Sequence, residues 1–271
     1  MLSVNEERKM NNIKQIEVIY DNRLVGRLAL TKEGLCAFEY LAEWLGSGFS
    51  ISPFELPLKS GVFIAKPRPF EGGFGVFDDC LPDGWGLLIL DRYLQQKNIN
   101  PRTLTLLDRL ALVGSTGRGA LEFRPDHSVV TRQDYVDFEK LALEAEQILD
   151  SDDYTGKGIE EFQDRGGSPG GARPKIFVRY DNKEWLVKFR AKRDPQSIGI
   201  DEYRYSLLAK QCGIEMPETR LFEDKYFGVE RFDRTPNGKL HVVSMAGLIG
   251  ADYRLPSIDY IHIFQVCAML T

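Results

Sequence analysis

Apolar residues concentrate in two short runs, 13-IKQIEVIY-20 and 23-RLVGRLAL-30, rich in the residue types that favour strands. Asp21-Asn22 between them tolerates the positive φ angles of a two-residue turn, so an antiparallel hairpin is expected over 13–30. Residues 61–92 break into short apolar runs punctuated by Gly and Pro. After Pro82-Asp83-Gly84 the period lengthens to that of a helix, with Trp85, Leu88, Ile89 and Tyr93 on one face. The stretch 100-NPRTLTLLDRLALVG-114 reads as one capped helix: Asn100 is the N-cap, Pro101 lies in the first turn and Gly114 is the stop. Over 131-TRQDYVDFEKLALEAEQILD-150, Tyr135, Phe138, Leu141, Ala145 and Ile148 recur at steps of three and four, which predicts a longer amphipathic helix.

The polar stretch 151-SDDYTGKG-158 is the best candidate for a boundary between two regions. A glycine-rich segment, 166-GGSPGGARPK-175, follows. Then come a strand over 175–180, a turn at Asp181-Asn182 and a second strand over 184–189. A helix is expected over 201–212, stopped by Gly213, and a further strand pair, 219–223 and 226–232, turns at Asp224-Lys225. The last segment, 257-SIDYIHIFQVCAMLT-271, begins as a helix capped at Ser257 and is apolar around much of its girth.

Composition narrows the function classes. The 271 residues are 43% hydrophobic and 28% charged, enough for a sizeable core in one or two domains. A formal net charge of −5 argues against a general nucleic-acid surface, which needs clustered Lys and Arg. Cys36, Cys80, Cys212 and Cys267 form no C-x-x-C pair, so neither a zinc site nor a disulfide framework is suggested, and a reducing cytoplasm fits. No signal-peptide core and no run of about 20 apolar residues is present, so a cytoplasmic protein without a membrane span is expected. His127, His241 and His262 form no cluster with a nucleophile and read as packing or surface residues.

Glycine is entropically costly in a folded chain, so four of them in ten residues call for a reason. A dinucleotide fingerprint requires a helix after the glycines, whereas two strands follow here. A Walker A loop requires Gly-Lys-Ser/Thr, which is absent. A flexible turn and a loop whose backbone covers phosphates both remain. Lys188 favours the second: it sits within the apolar strand 185-WLVKF-189, just after the loop, as kinases place a lysine that neutralises phosphate. A lysine on a solvent-facing strand side is the plain alternative. Glu202, on the next helix, is the available carboxylate to orient Lys188, or equally a charge that favours the helix N-terminus.

Taken together, 74-FGVFDDCLPDGWGLLILDR-92, 113-VGSTGRGALEFRP-125, 168-SPGGARPK-175, 185-WLVKF-189, 202-EYRYSLLAKQCGIEMPE-218 and 229-VERFDR-234 resemble, in order and spacing, the HipA family of bacterial serine/threonine kinases, the toxins of toxin–antitoxin pairs. The resemblance implies an α+β protein with a β-rich N-terminal domain over 1–125, a connecting helix and linker over 126–158, a kinase-like nucleotide-binding lobe over 159–235, and the start of a helical C-terminal lobe over 236–271. It implies that Gly170, Gly171 and Ala172 lie over the ATP phosphates and that Lys188 contacts them. Glu230 and Phe232 match the hinge that receives adenine through its backbone, and Asp233 would reach the ribose. Ser168 matches the regulatory serine whose autophosphorylation expels the loop.

The family's catalytic Asp and its Mg²⁺ ligands lie in segments with no counterpart here, so the chain is expected to be C-terminally truncated, with no nominated base or metal ligand. The complete enzyme is expected to transfer the γ-phosphoryl group of ATP, with Mg²⁺, to a protein serine or threonine, aminoacyl-tRNA synthetases being the implied substrate class. A helix-turn-helix antitoxin of the HipB kind is the implied partner, with DNA reached only through it. A non-catalytic module that binds the antitoxin is the alternative.

Overall fold

The computed structural model describes residues 13–128, 136–151, 154, 156, 158–166 and 170–270. It is a mixed α+β fold in two compact units, and neither unit is one continuous stretch of chain. One gathers residues up to Leu81, then Leu104–His127, then the chain from His241. The other gathers Pro82–Thr103 and Ser128–Leu240.

The first unit is built on a five-stranded antiparallel sheet. Its strands are β1 (Gln15–Tyr20), β2 (Arg23–Leu30), β3 (Cys36–Tyr40), β4 (Val62–Ile64) and β5 (Leu121–Arg124), in spatial order β4-β3-β2-β1-β5. The expected hairpin is present. Asp21 and Asn22 take φ of 47° and 59°, the left-handed pair that matches the twist of the strands they join. Ile16, Val18, Val25, Leu28, Phe38 and Tyr40 bury the inner face against Trp44, Phe77, Leu107, Leu110 and Ala111. The segment 241–249 joins this unit through Asp79, whose carboxylate accepts hydrogen bonds from the Ser244 N–H (2.5 Å) and hydroxyl (2.7 Å).

Several helix starts differ from expectation. Asn100 caps only a 3₁₀ turn, Pro101–Thr103, and the helix proper is Leu106–Val113. Thr105 is its N-cap, in a capping box: the Asp108 N–H donates to the Thr105 hydroxyl and the Thr105 N–H to the Asp108 carboxylate. The final helix runs Tyr260–Leu270, and Asp259, not Ser257, takes its first N–H at 2.6 Å. Of that helix only Val266 is buried, while Tyr260, Phe264 and Met269 are exposed. The amphipathic helix expected over 131–150 is observed as Phe138–Asp150, capped by the Asp137 side chain; Tyr135 lies outside the described residues. Among the described residues no helix is long and apolar enough to cross a membrane.

The second unit carries a four-stranded antiparallel sheet of β6 (Lys175–Tyr180), β7 (Lys183–Lys188), β8 (Thr219–Phe222) and β9 (Tyr226–Glu230), ordered β6-β7-β9-β8. Period-two alternation sends Ile176, Val178, Trp185, Val187 and Phe189 to one face. There they are covered by Phe138, Leu141, Ala145 and Ile148, by Ile159 and Phe162 of the helix Gly158–Gly166, and by Trp85 and Ile89 of the helix Gly84–Gln96. The Arg92 guanidinium donates to the Ile148 carbonyl at 2.6 Å, a cation at a helix C-terminus that ties two of these helices together. The helix after β7 is Ile198–Gln211 and begins three residues before the expected Asp201.

Candidate nucleotide-binding face

The opposite face of the second sheet carries the polar chemistry. Strand alternation that buries Ile176, Val178, Trp185 and Val187 must send Lys175, Phe177, Leu186 and Lys188 to the other side. The turn at Asp181-Asn182 sets the register so that Lys175 pairs directly with Lys188. Like charges directly opposite each other in a ladder are destabilising, so both ammonium groups need compensation. Lys188 donates to the Glu202 carboxylate at 2.6 Å and lies 5.3 Å from the Phe227 ring centre. Lys175 is buried and donates to the Gly170 carbonyl at 2.5 Å. Burial pushes its pKa down; Lys188 and Arg173 add to that, while Asp83 and Glu202 oppose it.

The glycine segment is tied at both ends of its described part. Gly171 has φ of +97°, a conformation L side chains rarely adopt. Its N–H donates to the Asp83 carboxylate at 2.6 Å, and its carbonyl accepts from the Trp85 N–H at 3.1 Å. Arg173 grips Asp194 with two parallel bonds of 2.7 and 2.8 Å, which hold the Asp194 carboxyl down at about 2. Ala172 lies exposed between these ties. Ser168 lies outside the described residues.

The segment after β9 is bonded within its own unit. The Glu230 N–H donates to the Glu218 carbonyl and the Arg231 N–H to the Glu184 carbonyl, each at 2.8 Å. The Glu230 carboxylate meets Lys183 at 2.9 Å. Asp233 is buried, held by Arg231 through two bonds (3.0 and 2.8 Å) and by Arg234 at 2.9 Å, while the Arg231 guanidinium stacks 4.0 Å from the Phe177 ring centre. The Phe232 side chain is 60% exposed.

Two family models match this chain. That of the HipA-like C-terminal domain covers residues 167–271, and that of the HipA N-terminal domain covers residues 16–124. The chain belongs to the HipA family. Comparison with individual curated proteins gave no match. The HipA C-terminal match takes in the glycine segment, both lysines, Glu202 and the segment 230–233. The HipA N-terminal match includes Asp83 and Trp85, which pack in the same compact unit as the glycine segment.

Sequence reasoning missed Lys175 and Asp83 as members of this cluster. Lys175 was within reach: counting outward from Asp181-Asn182 places it opposite Lys188. Asp83 carries no local signal, because its partner Gly171 lies 88 residues away.

Proposed function

We propose that the face carrying Lys175 and Lys188 binds the phosphates of ATP, and that the chain is the nucleotide-cradling part of a HipA serine/threonine kinase. The observation that carries this reading is the direct opposition of two lysines on one strand pair beside a glycine loop. Two paired cations at one spot form an anion site. A carboxylate from a third element, Glu202, orients one of them.

In this reading the nucleotide-binding lobe spans 159–235, and the backbone of Gly170, Gly171 and Ala172 covers the phosphates. Lys188 and Lys175 neutralise them, and the chain at Glu230 and Phe232 receives the adenine. Asp233, assigned to the ribose, would give up one of its arginine bonds to reach it. Phosphorylation of Ser168 would add about −1.5 to −2 of charge next to bound phosphate and repel it. ATP supplies the transferable γ-phosphoryl group for a serine or threonine of a protein, with aminoacyl-tRNA synthetases as the class the family suggests. Among the described residues no group of three or more His, Cys, Asp or Glu side chains could hold a metal ion. Family membership also suggests a helix-turn-helix antitoxin as partner, and a cytoplasmic setting.

Calorimetric titration of the full chain with ATP, with and without Mg²⁺, tests the reading. Binding is expected for wild type and is lost in Lys188→Ala. Equal binding by both proteins would remove Lys188 from the site.

A further inference from the structure

Asp83 occupies the N-cap position of the helix Gly84–Gln96, with extended backbone angles (φ −122°, ψ 170°). An aspartate there ordinarily turns its carboxylate back onto the N–H groups of its own first turn. This one makes no such bond. Its carboxylate instead accepts the Gly171 N–H at 2.6 Å, and the Trp85 N–H closes the contact by donating to the Gly171 carbonyl at 3.1 Å. Close approach is built into the sequence: Gly84 has φ of +43°, and a Cβ there would lie 2.7 Å from the Gly171 carbonyl oxygen.

The position of this carboxylate matters as much as its bond. It bonds the backbone donor that a phosphate would use, on the same glycine whose Cβ position lies 2.9 Å from the Lys175 ammonium, and its charge favours the protonated form of that lysine. Lys175 meanwhile donates to the Gly170 carbonyl. Both groups of the anion site nearest the loop are therefore satisfied from within the protein. We infer that Asp83 is an internal competitor for the nucleotide's phosphates, a carboxylate that holds the glycine loop in a self-occupied state and must be displaced from Gly171 when ATP binds. This rests on the nucleotide reading above. It adds an affinity-setting residue from the N-terminal half of the sequence, and it makes the segment Pro82–Trp85 a latch on the loop.

The alternative is that Asp83 merely shapes the loop for its ligand, and the sign of one substitution separates the two. Asp83→Asn keeps the acceptor oxygen and removes the charge. Asp83→Ser keeps a good N-cap and shortens the reach, which guards against a variant that fails to fold. The full-length wild type and both variants are titrated calorimetrically with ATP and with adenosine, which has no phosphates. If Asp83 competes, both variants bind ATP more tightly, by about tenfold for the loss of one like charge beside the phosphates, while adenosine affinity is unchanged. If ATP binds wild type and the variants bind it equally or more weakly, the latch is overturned and the nucleotide reading stands. If neither wild type nor variant binds ATP, the nucleotide reading falls and the latch falls with it.

Discussion

Lys175 and Lys188 face each other across the β6–β7 ladder, on the side of the sheet away from its apolar core. Two cations in register are a liability that a purely structural sheet would avoid. Here each is partnered separately, Lys188 by Glu202 and Lys175 by the Gly170 carbonyl.

The Lys188–Glu202 pair is about one-third exposed, so its contribution to stability is expected to be below about 1 kcal/mol. On the proposed nucleotide reading its contribution to binding is expected to be larger, because an unpaired lysine samples many positions. Glu202→Ala should leave the urea midpoint nearly unchanged and weaken ATP about tenfold, the worth of roughly one charge-assisted hydrogen bond. Parallel denaturation and calorimetry check both halves.

Burial of Lys175 gives a pH dependence with a definite sign. Its folded pKa lies below the ordinary 10.5, so between those two values the unfolded chain holds a proton that the folded one has released. Stability from this group therefore rises with pH across that window, and the burial penalty is complete below the folded pKa. Lys175→Met should raise the urea midpoint at neutral pH. The gain should shrink as pH passes 10, and ATP binding should be lost throughout.

His241 behaves differently at the acid end. Its ring is half-buried beside Phe49, with Nε2–H donating to the Ile51 carbonyl at 2.8 Å and a buried Nδ1 without a partner. Burial pulls its pKa below 6.5, and the bond to Ile51 offsets part of that. As pH falls from 6.5 to the lowered value the unfolded chain protonates first, so the fold loses stability in that interval. In His241→Phe that loss should vanish, seen as a flatter plot of melting temperature against pH between 6.5 and 5.

Thr105 and Asn100 make a matched pair for testing which residue starts the helix Leu106–Val113. Thr105→Ala removes one side of a capping box and should cost about 1 kcal/mol. Asn100→Ala touches only the short 3₁₀ turn and should cost a few tenths at most. Equal losses would contradict the cap assignment.

What the sequence disclosed follows the range of the forces involved. The hairpin at Asp21-Asn22, the strand pair at Asp181-Asn182 and the face of Phe138, Leu141, Ala145 and Ile148 are set by residues a few positions apart, and they stand as read. Thr105 was passed over because Asn100-Pro101 offered an equally good start five residues earlier, and only packing decides between two adequate caps. The bond from Gly171 to Asp83 was beyond any local pattern. Aspartate before glycine reads as a turn, and nothing near Asp83 says that its carboxylate will serve a loop on a distant segment.

The threading of the two units bears on how the molecule is made. The chain leaves the first unit at Pro82, returns at Leu104, departs again at Ser128 and comes back at His241. On the ribosome neither unit can complete itself while the other is still missing. The sheet that bears Lys175 and Lys188 must recruit a helix synthesised some 80 residues earlier, and the early sheet receives Ser244 and Gly247 only after the later one has been made. A cut anywhere between Pro82 and Leu240 therefore divides both units at once. Assembly should be one cooperative event, and a protease nick in the stretch Ser128–Leu240 should leave two pieces that elute together until denatured.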